Sequence, residues 1–168
     1  MKVQNLLLVI VVILFLAIIG VRHPGINPVA NSYADNSNNS DSLQLAPTIQ
    51  FTNVKSLTEL MGAIKKSVGA NKPVMIEFYA TWCPACRAVQ ANILPDPAVR
   101  RAAQNVTAIG VDCSEPSPII KEMMDAFHVY AFPTFIYYNK DGTPNAAGNI
   151  GAGTSKELMV NVLQQMSH

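Results

Sequence analysis

Two cysteines stand three positions apart in Trp82-Cys83-Pro84-Ala85-Cys86. An apolar run of strand length, Val74 to Ala80, leads into them, and Pro84 opens a helical stretch behind them. A cysteine at a helix start meets unpaired backbone N–H groups and the positive end of the helix dipole. Those favour the thiolate, so Cys83 is read as the attacking nucleophile. Cys86, one helical turn on, is placed to resolve a mixed disulfide by attacking Cys83 from inside. Pro84 suits a first helical turn, where its missing N–H has no partner to lose. Half of a metal site and a structural disulfide share this spacing. A zinc site needs about four ligands, and the candidates Cys113 and His128 stand at no recognisable metal spacing, so no metal is assigned. The strand before, the helix after and Trp82 in front favour redox chemistry.

Glu77 is the only charge in the apolar run and stands six residues before Cys83. A half-buried carboxylate there has a raised pKa and can relay the proton of Cys86. The competing roles are a side chain reaching the sheet edge or an ion-pair partner. Cys113 closes Val111-Asp112-Cys113 and reads as a buried small hydrophobe rather than a second redox centre. His23, His128 and His168 have no catalytic spacing. Met123, Met124, Met159 and Met166 fall at helical spacing and read as core rather than copper ligands.

The elements that must position these residues run from Pro47 to the end. Strands are expected at Thr48–Val54, Val74–Ala80, Val106–Val111 and Thr134–Tyr138. Helices are expected at 57–69, from Pro84 to about Leu94, from Pro97 through Ala103 with Asp96 as N-cap, at Ile119–Phe127 and at Ser155–Met166. Asn139-Lys140-Asp141-Gly142 reads as a hairpin turn leading to a fifth strand over Asn145–Ile150. The order β-α-β-α-β-α-β-β-α implies an α/β fold with a mixed central sheet and helices on both faces.

The segment Val74 to Cys86 (VMIEFYATWCPAC), with Phe132-Pro133-Thr134, resembles the thioredoxin superfamily over roughly residues 47–168. More closely, it resembles the C-terminal periplasmic domain of the DsbD thiol:disulfide interchange family, through the same strand, Asp96-Pro97-Ala98-Val99 and Phe-Pro-Thr-Phe followed by Ile-Tyr-Tyr. The resemblance implies a thioredoxin-like fold and a cis Pro133 set against the cysteine pair. It also implies a substrate groove shaped by Trp82, Pro84, Ala85, Phe132, Pro133 and Thr134, and an acidic residue, here Glu77, behind the pair. The Pro-Ala dipeptide departs from the Gly-Pro of thioredoxin and from the Pro-His of strong oxidants.

The start of the chain differs from the rest. Leu6 to Val21 is a run of sixteen residues without charge, closed by Arg22 and His23. As a helix it covers roughly 24 Å, slightly under the ~30 Å hydrocarbon core. Residues 1–22 are therefore read as an inner-membrane anchor, with a cleaved signal peptide as the competing reading. Residues 23–46, rich in Asn, Ser, Pro and Asp, are read as a flexible linker, and 47–168 as the thioredoxin-like domain.

Composition excludes several classes. The 168 residues carry 12 basic and 11 acidic side chains, a formal net charge of +1, which rules out nucleic-acid binding driven by phosphate contacts. Three cysteines are too few for a disulfide-stapled mini-protein. The reading that results is an exported, membrane-anchored protein-disulfide reductase on the periplasmic side of the inner membrane. Its partners are disulfide- or thiol-containing exported proteins. With no flavin or nicotinamide motif and no cofactor expected, a membrane electron-transfer partner must recharge it. The alternatives are a thioredoxin of cytochrome c maturation, a net oxidase or isomerase, and a non-catalytic binding or holdase module.

Overall fold

The computed structural model describes residues 48–147 and 149–166. The apolar run Leu6–Val21, the linker 23–46, Pro47, His23 and His168 lie outside the described residues. Among the described residues no helix is long and apolar enough to cross a membrane.

Four strands, β1 (Phe51–Asn53), β2 (Val74–Tyr79), β3 (Thr107–Asp112) and β4 (Thr134–Tyr138), form one sheet in the order β1-β3-β2-β4. β3 runs parallel to β1 and β2, and β4 lies antiparallel to β2. Five helices complete the domain: α1 (Leu57–Gly69), α2 (Pro84–Asn92), α3 (Pro97–Ala102), α4 (Pro118–Ala126) and α5 (Lys156–Met166). This is the expected mixed α/β architecture.

β2 is interior and covered on both faces, so every residue from Val74 to Phe78 is buried and its sequence is a nearly continuous apolar run. Alternation along the strand splits the core in two. Met75, Phe135 and Tyr137 face Val89, Val99, Met159, Leu163 and Met166 from α2, α3 and α5. Ile76, Phe78 and Ile136 face Leu60 and Met123 from α1 and α4. Met123, Met159 and Met166 are core residues, as their spacing predicts.

Local chemistry sets the helix starts. Asp96 caps α3 by accepting from the Ala98 N–H at 2.8 Å, and Pro97 takes the first helical position. Ser155 accepts from the Leu158 N–H at 3.2 Å at the head of α5. At α1, Ser56 accepts from the Glu59 N–H at 3.2 Å while the Glu59 carboxylate accepts from the Lys55 N–H at 2.8 Å. Replacing Ser56 by alanine is expected to cost about 1 kcal/mol in chemical denaturation, since it orphans one end of this reciprocal pair.

The expected fifth strand does not form. The turn over Asn139–Gly142 is present, with Gly142 at φ +83°, where glycine carries no Cβ penalty. Beyond it the described residues make isolated antiparallel bridges to β4, Tyr138 with Pro144 and Phe135 with Ile150. The Pro144 bridge is framed by bonds from the Asn139 N–H to the Thr143 carbonyl and from the Asn145 N–H to the Tyr137 carbonyl, so pairing holds that far. The Asn145 N–H reaches the Tyr137 carbonyl, and the next bonded residue, Ile150, lies five positions on but only two positions along β4. The Ile150 bridge is three residues out of register with the Pro144 bridge, so among the described residues Asn145–Ile150 does not form a strand.

Candidate functional site

The cysteine pair sits where β2 ends and α2 begins. Cys83 is the N-cap of α2, and its Sγ accepts from the Cys86 N–H at 3.2 Å. The Cys83 thiol also donates to the Phe132 carbonyl at 3.5 Å. Phe132 precedes a cis peptide bond to Pro133, as the resemblance implies. All three cysteines are free thiols. Cys86 is fully buried in a small cluster with Ala80 and Cys83, against Tyr79, Ala85 and Phe132. Burial first, then the hydrogen bond with Cys83, pushes the Cys86 thiol up to about 12. A charged Glu77 adds to that rise.

Trp82 stands in front of the pair, 60% exposed, its ring edge-on to Phe132 at a centroid distance of 5.9 Å. Its indole N–H donates to the Ser114 carbonyl at 3.0 Å, and the Thr81 N–H donates to the Ser114 hydroxyl at 2.8 Å. Asp112 holds Ser114 by accepting from its N–H at 2.9 Å. The sequence reading did not single out Ser114 or Asp112, which become neighbours of Trp82 only through the β3 crossover. Pro84 is exposed and Ala85 half-buried on the first turn of α2, while Pro133 is buried beside it in sequence with Thr134. The Thr134 hydroxyl donates to the Ala131 carbonyl at 2.8 Å, so it braces the Phe132-Pro133 turn. Trp82 and Phe132 also form one end of an apolar groove of about 650 Å³, continued by Pro118, Ile120 and Met124 of α4. Cys113 lines that groove and is otherwise buried, its thiol pushed up to about 11 by burial and by Asp112. Its burial is as its position predicts.

Glu77 is 2% exposed on the central strand, which excludes the sheet-edge role. Among the described residues the ion pairs Lys121–Asp125 and Lys156–Asp96 lie elsewhere, and the neighbour of Glu77 is neutral: Gln90 of α2 donates to its Oε1 at 3.3 Å. Burial raises the Glu77 carboxyl to about 7, with the Gln90 bond pulling the other way. Gln90 escaped the sequence reading because a polar residue on a helix surface gives no signal of the strand it covers.

A thioredoxin-like domain family model matches residues 60–167. The chain belongs to that family. The chain is similar to the thiol:disulfide interchange protein DsbD of Actinobacillus pleuropneumoniae, 28% identical over 155 residues, covering 92% of this chain and 26% of that protein. The DsbD of Pasteurella multocida is 30% identical over 135 residues, covering 80% of this chain and 23% of that protein. The chain thus spans about a quarter of the length of these curated relatives. Among solved structures, the C-terminal domain of Neisseria meningitidis DsbD in its oxidised form superposes with a TM-score of 0.58 at 19% identity, over 68% of this chain and 98% of that one. That likeness is one of fold. Thioredoxin O2 from Arabidopsis thaliana matches with a TM-score of 0.53 at 25% identity, over 70% of this chain and 95% of that one.

Proposed function

We propose that the chain is a thiol–disulfide oxidoreductase that reduces disulfides of exported proteins on the periplasmic side of the inner membrane. The observation that carries the reading is the asymmetry of the pair: Cys83 caps α2 beside the Phe132 carbonyl, and Cys86 lies fully buried one turn behind it. Such a pair divides the labour. Cys83 attacks the substrate disulfide, helped by the helix N-terminus. Cys86, its proton held by burial, waits until the mixed disulfide forms and then releases the reduced product. Trp82, Pro84, Ala85, Phe132 and Pro133 form the surface on which an extended substrate segment lies, with Thr134 bracing the turn. Glu77 takes the proton of Cys86 during resolution.

The direction rests on the similarity to DsbD proteins. In this reading Leu6–Val21 anchors the chain, residues 23–46 tether the domain, and a membrane electron-transfer partner returns electrons to the Cys83–Cys86 disulfide. Equilibration of the pair against glutathione tests the direction. A potential near the ~−270 mV of thioredoxin supports a reductant, and one near the ~−120 mV of a strong oxidant overturns it.

A further inference from the structure

Resolution requires the Cys86 proton to leave at the moment when a partner covers the cysteine pair. Trp82 and Phe132 border both the pair and the apolar groove, which lies on the α4 face of the sheet. A docked substrate closes that side to water. Glu77 points to the other face, toward α2, and there lines a second cavity of about 310 Å³ with Asn53, Tyr79, Gln90, Leu94 and residues leading into β1. The two share no lining residue. At ~30 Å³ per water molecule the second cavity has room for several.

Gly110 is the register partner of Glu77 on β3, and a Cβ there would come within 2.3 Å of the Asn53 Oδ1 and 3.5 Å of the Tyr79 ring. The bare backbone at 110 therefore leaves room for the amide of Asn53, an exposed residue, beside the Tyr79 ring. A glycine inside a buried strand marks such close approach. Gln90 is exposed on α2 while its amide reaches the buried Glu77, which puts it at the boundary between the carboxylate and solvent.

We propose that the cavity between β1 and α2 is the exit for the Cys86 proton, with Gln90 and Asn53 as the positioning residues of its mouth. The inference rests on Glu77 acting as the relay. In the mixed disulfide the Cys86 Sγ–H gives its proton to the Glu77 carboxylate as Cys86 Sγ bonds to Cys83 Sγ. The bond from Cys83 to the substrate sulfur breaks, and its electron pair leaves on the substrate, which takes a proton from solvent. Glu77 then passes the Cys86 proton to water in the cavity, and that water carries it past Gln90 and Asn53. The titratable groups set around Glu77 are Cys86 from α2, Tyr79 from β2 and Tyr137 from β4, while β3 contributes Gly110 and β1 the neutral Asn53.

The reaction of the reduced full-length protein with 5,5′-dithiobis(2-nitrobenzoate) separates the steps. The first release of thionitrobenzoate reports attack by Cys83, and the second reports resolution by Cys86. Gln90→Leu and Asn53→Leu, which close the mouth with apolar groups, are expected to slow the second release about tenfold near neutral pH and leave the first unchanged. The slowed phase should show a larger solvent deuterium isotope effect, and Gln90→Asn, which keeps an amide there, should recover most of the rate. Glu77→Gln should be slow whatever occupies the mouth. Wild-type second-phase rates in both leucine variants, with Glu77→Gln slow, overturn the exit and leave the relay standing. A wild-type rate in Glu77→Gln overturns both.

Discussion

Cys83→Ser is expected to reduce catalysed insulin reduction to the uncatalysed background, a loss of at least about 10³-fold, with the thermal midpoint little changed. The size follows from the division of roles. Without the Cys83 sulfur no mixed disulfide forms, and Cys86 cannot substitute, being fully buried with its thiol pushed up to about 12. Cys86→Ser should fail differently. Attack by Cys83 survives, so the protein accumulates as a mixed disulfide with its substrate, visible as a dithiothreitol-sensitive species on non-reducing gels. Should Cys83→Ser retain turnover, the nucleophile has been misassigned. Should both variants suppress aggregation as the wild type does while the wild type shows no turnover, the domain is a holdase.

The second large effect is in stability and runs opposite to activity. Burial raises the Glu77 carboxyl from an ordinary 4.5 to about 7. The native state therefore holds the Glu77 proton over that interval while the unfolded chain has lost it. The contribution of Glu77 to stability is greatest below about pH 4.5, falls as pH rises through about 7, and then stays low. At about 1.4 kcal/mol per pKa unit, the cost of an ionised Glu77 at pH 8 is on the order of 3 kcal/mol. Glu77→Gln removes it and keeps an amide that Gln90 can bond. The variant is expected to be more stable at pH 8 by about 2–3 kcal/mol in urea titrations, to match the wild type near pH 4, and to resolve mixed disulfides more slowly. A stability difference independent of pH would mean that Glu77 is not the group titrating.

Much of the site was legible from the order of residues alone. The Trp-Cys-x-x-Cys spacing, the apolar strand before it and Pro84 behind it are local features, and local features decide where a helix starts and which sulfur caps it. Glu77 stood out for the same reason, as one charge in a run that only a doubly covered strand produces. The capping by Asp96 and the turn at Asn139–Gly142 likewise needed no tertiary information. The strand read into Asn145–Ile150 failed because alternation describes a segment's own pattern, whereas pairing depends on a partner's register, and that register slips by three residues between Asn145 and Ile150.

Other features belong to the three-dimensional arrangement. Gln90 and Glu77 are thirteen residues apart and carry no mutual signal until α2 folds back over β2. Gly110 gains meaning only when β3 pairs with β2 in a register that sets it opposite Glu77 and lets Asn53 of β1 approach. Ser114 meets Trp82 across the turn after β3. Sequence by itself pointed to the sulfur and carboxylate groups that the proposed chemistry uses, because these are properties of single residues and their helix is set by neighbours. Only the tertiary structure decided how the buried acid is insulated and which cavity it lines, because desolvation and cavities arise between elements that no local pattern joins.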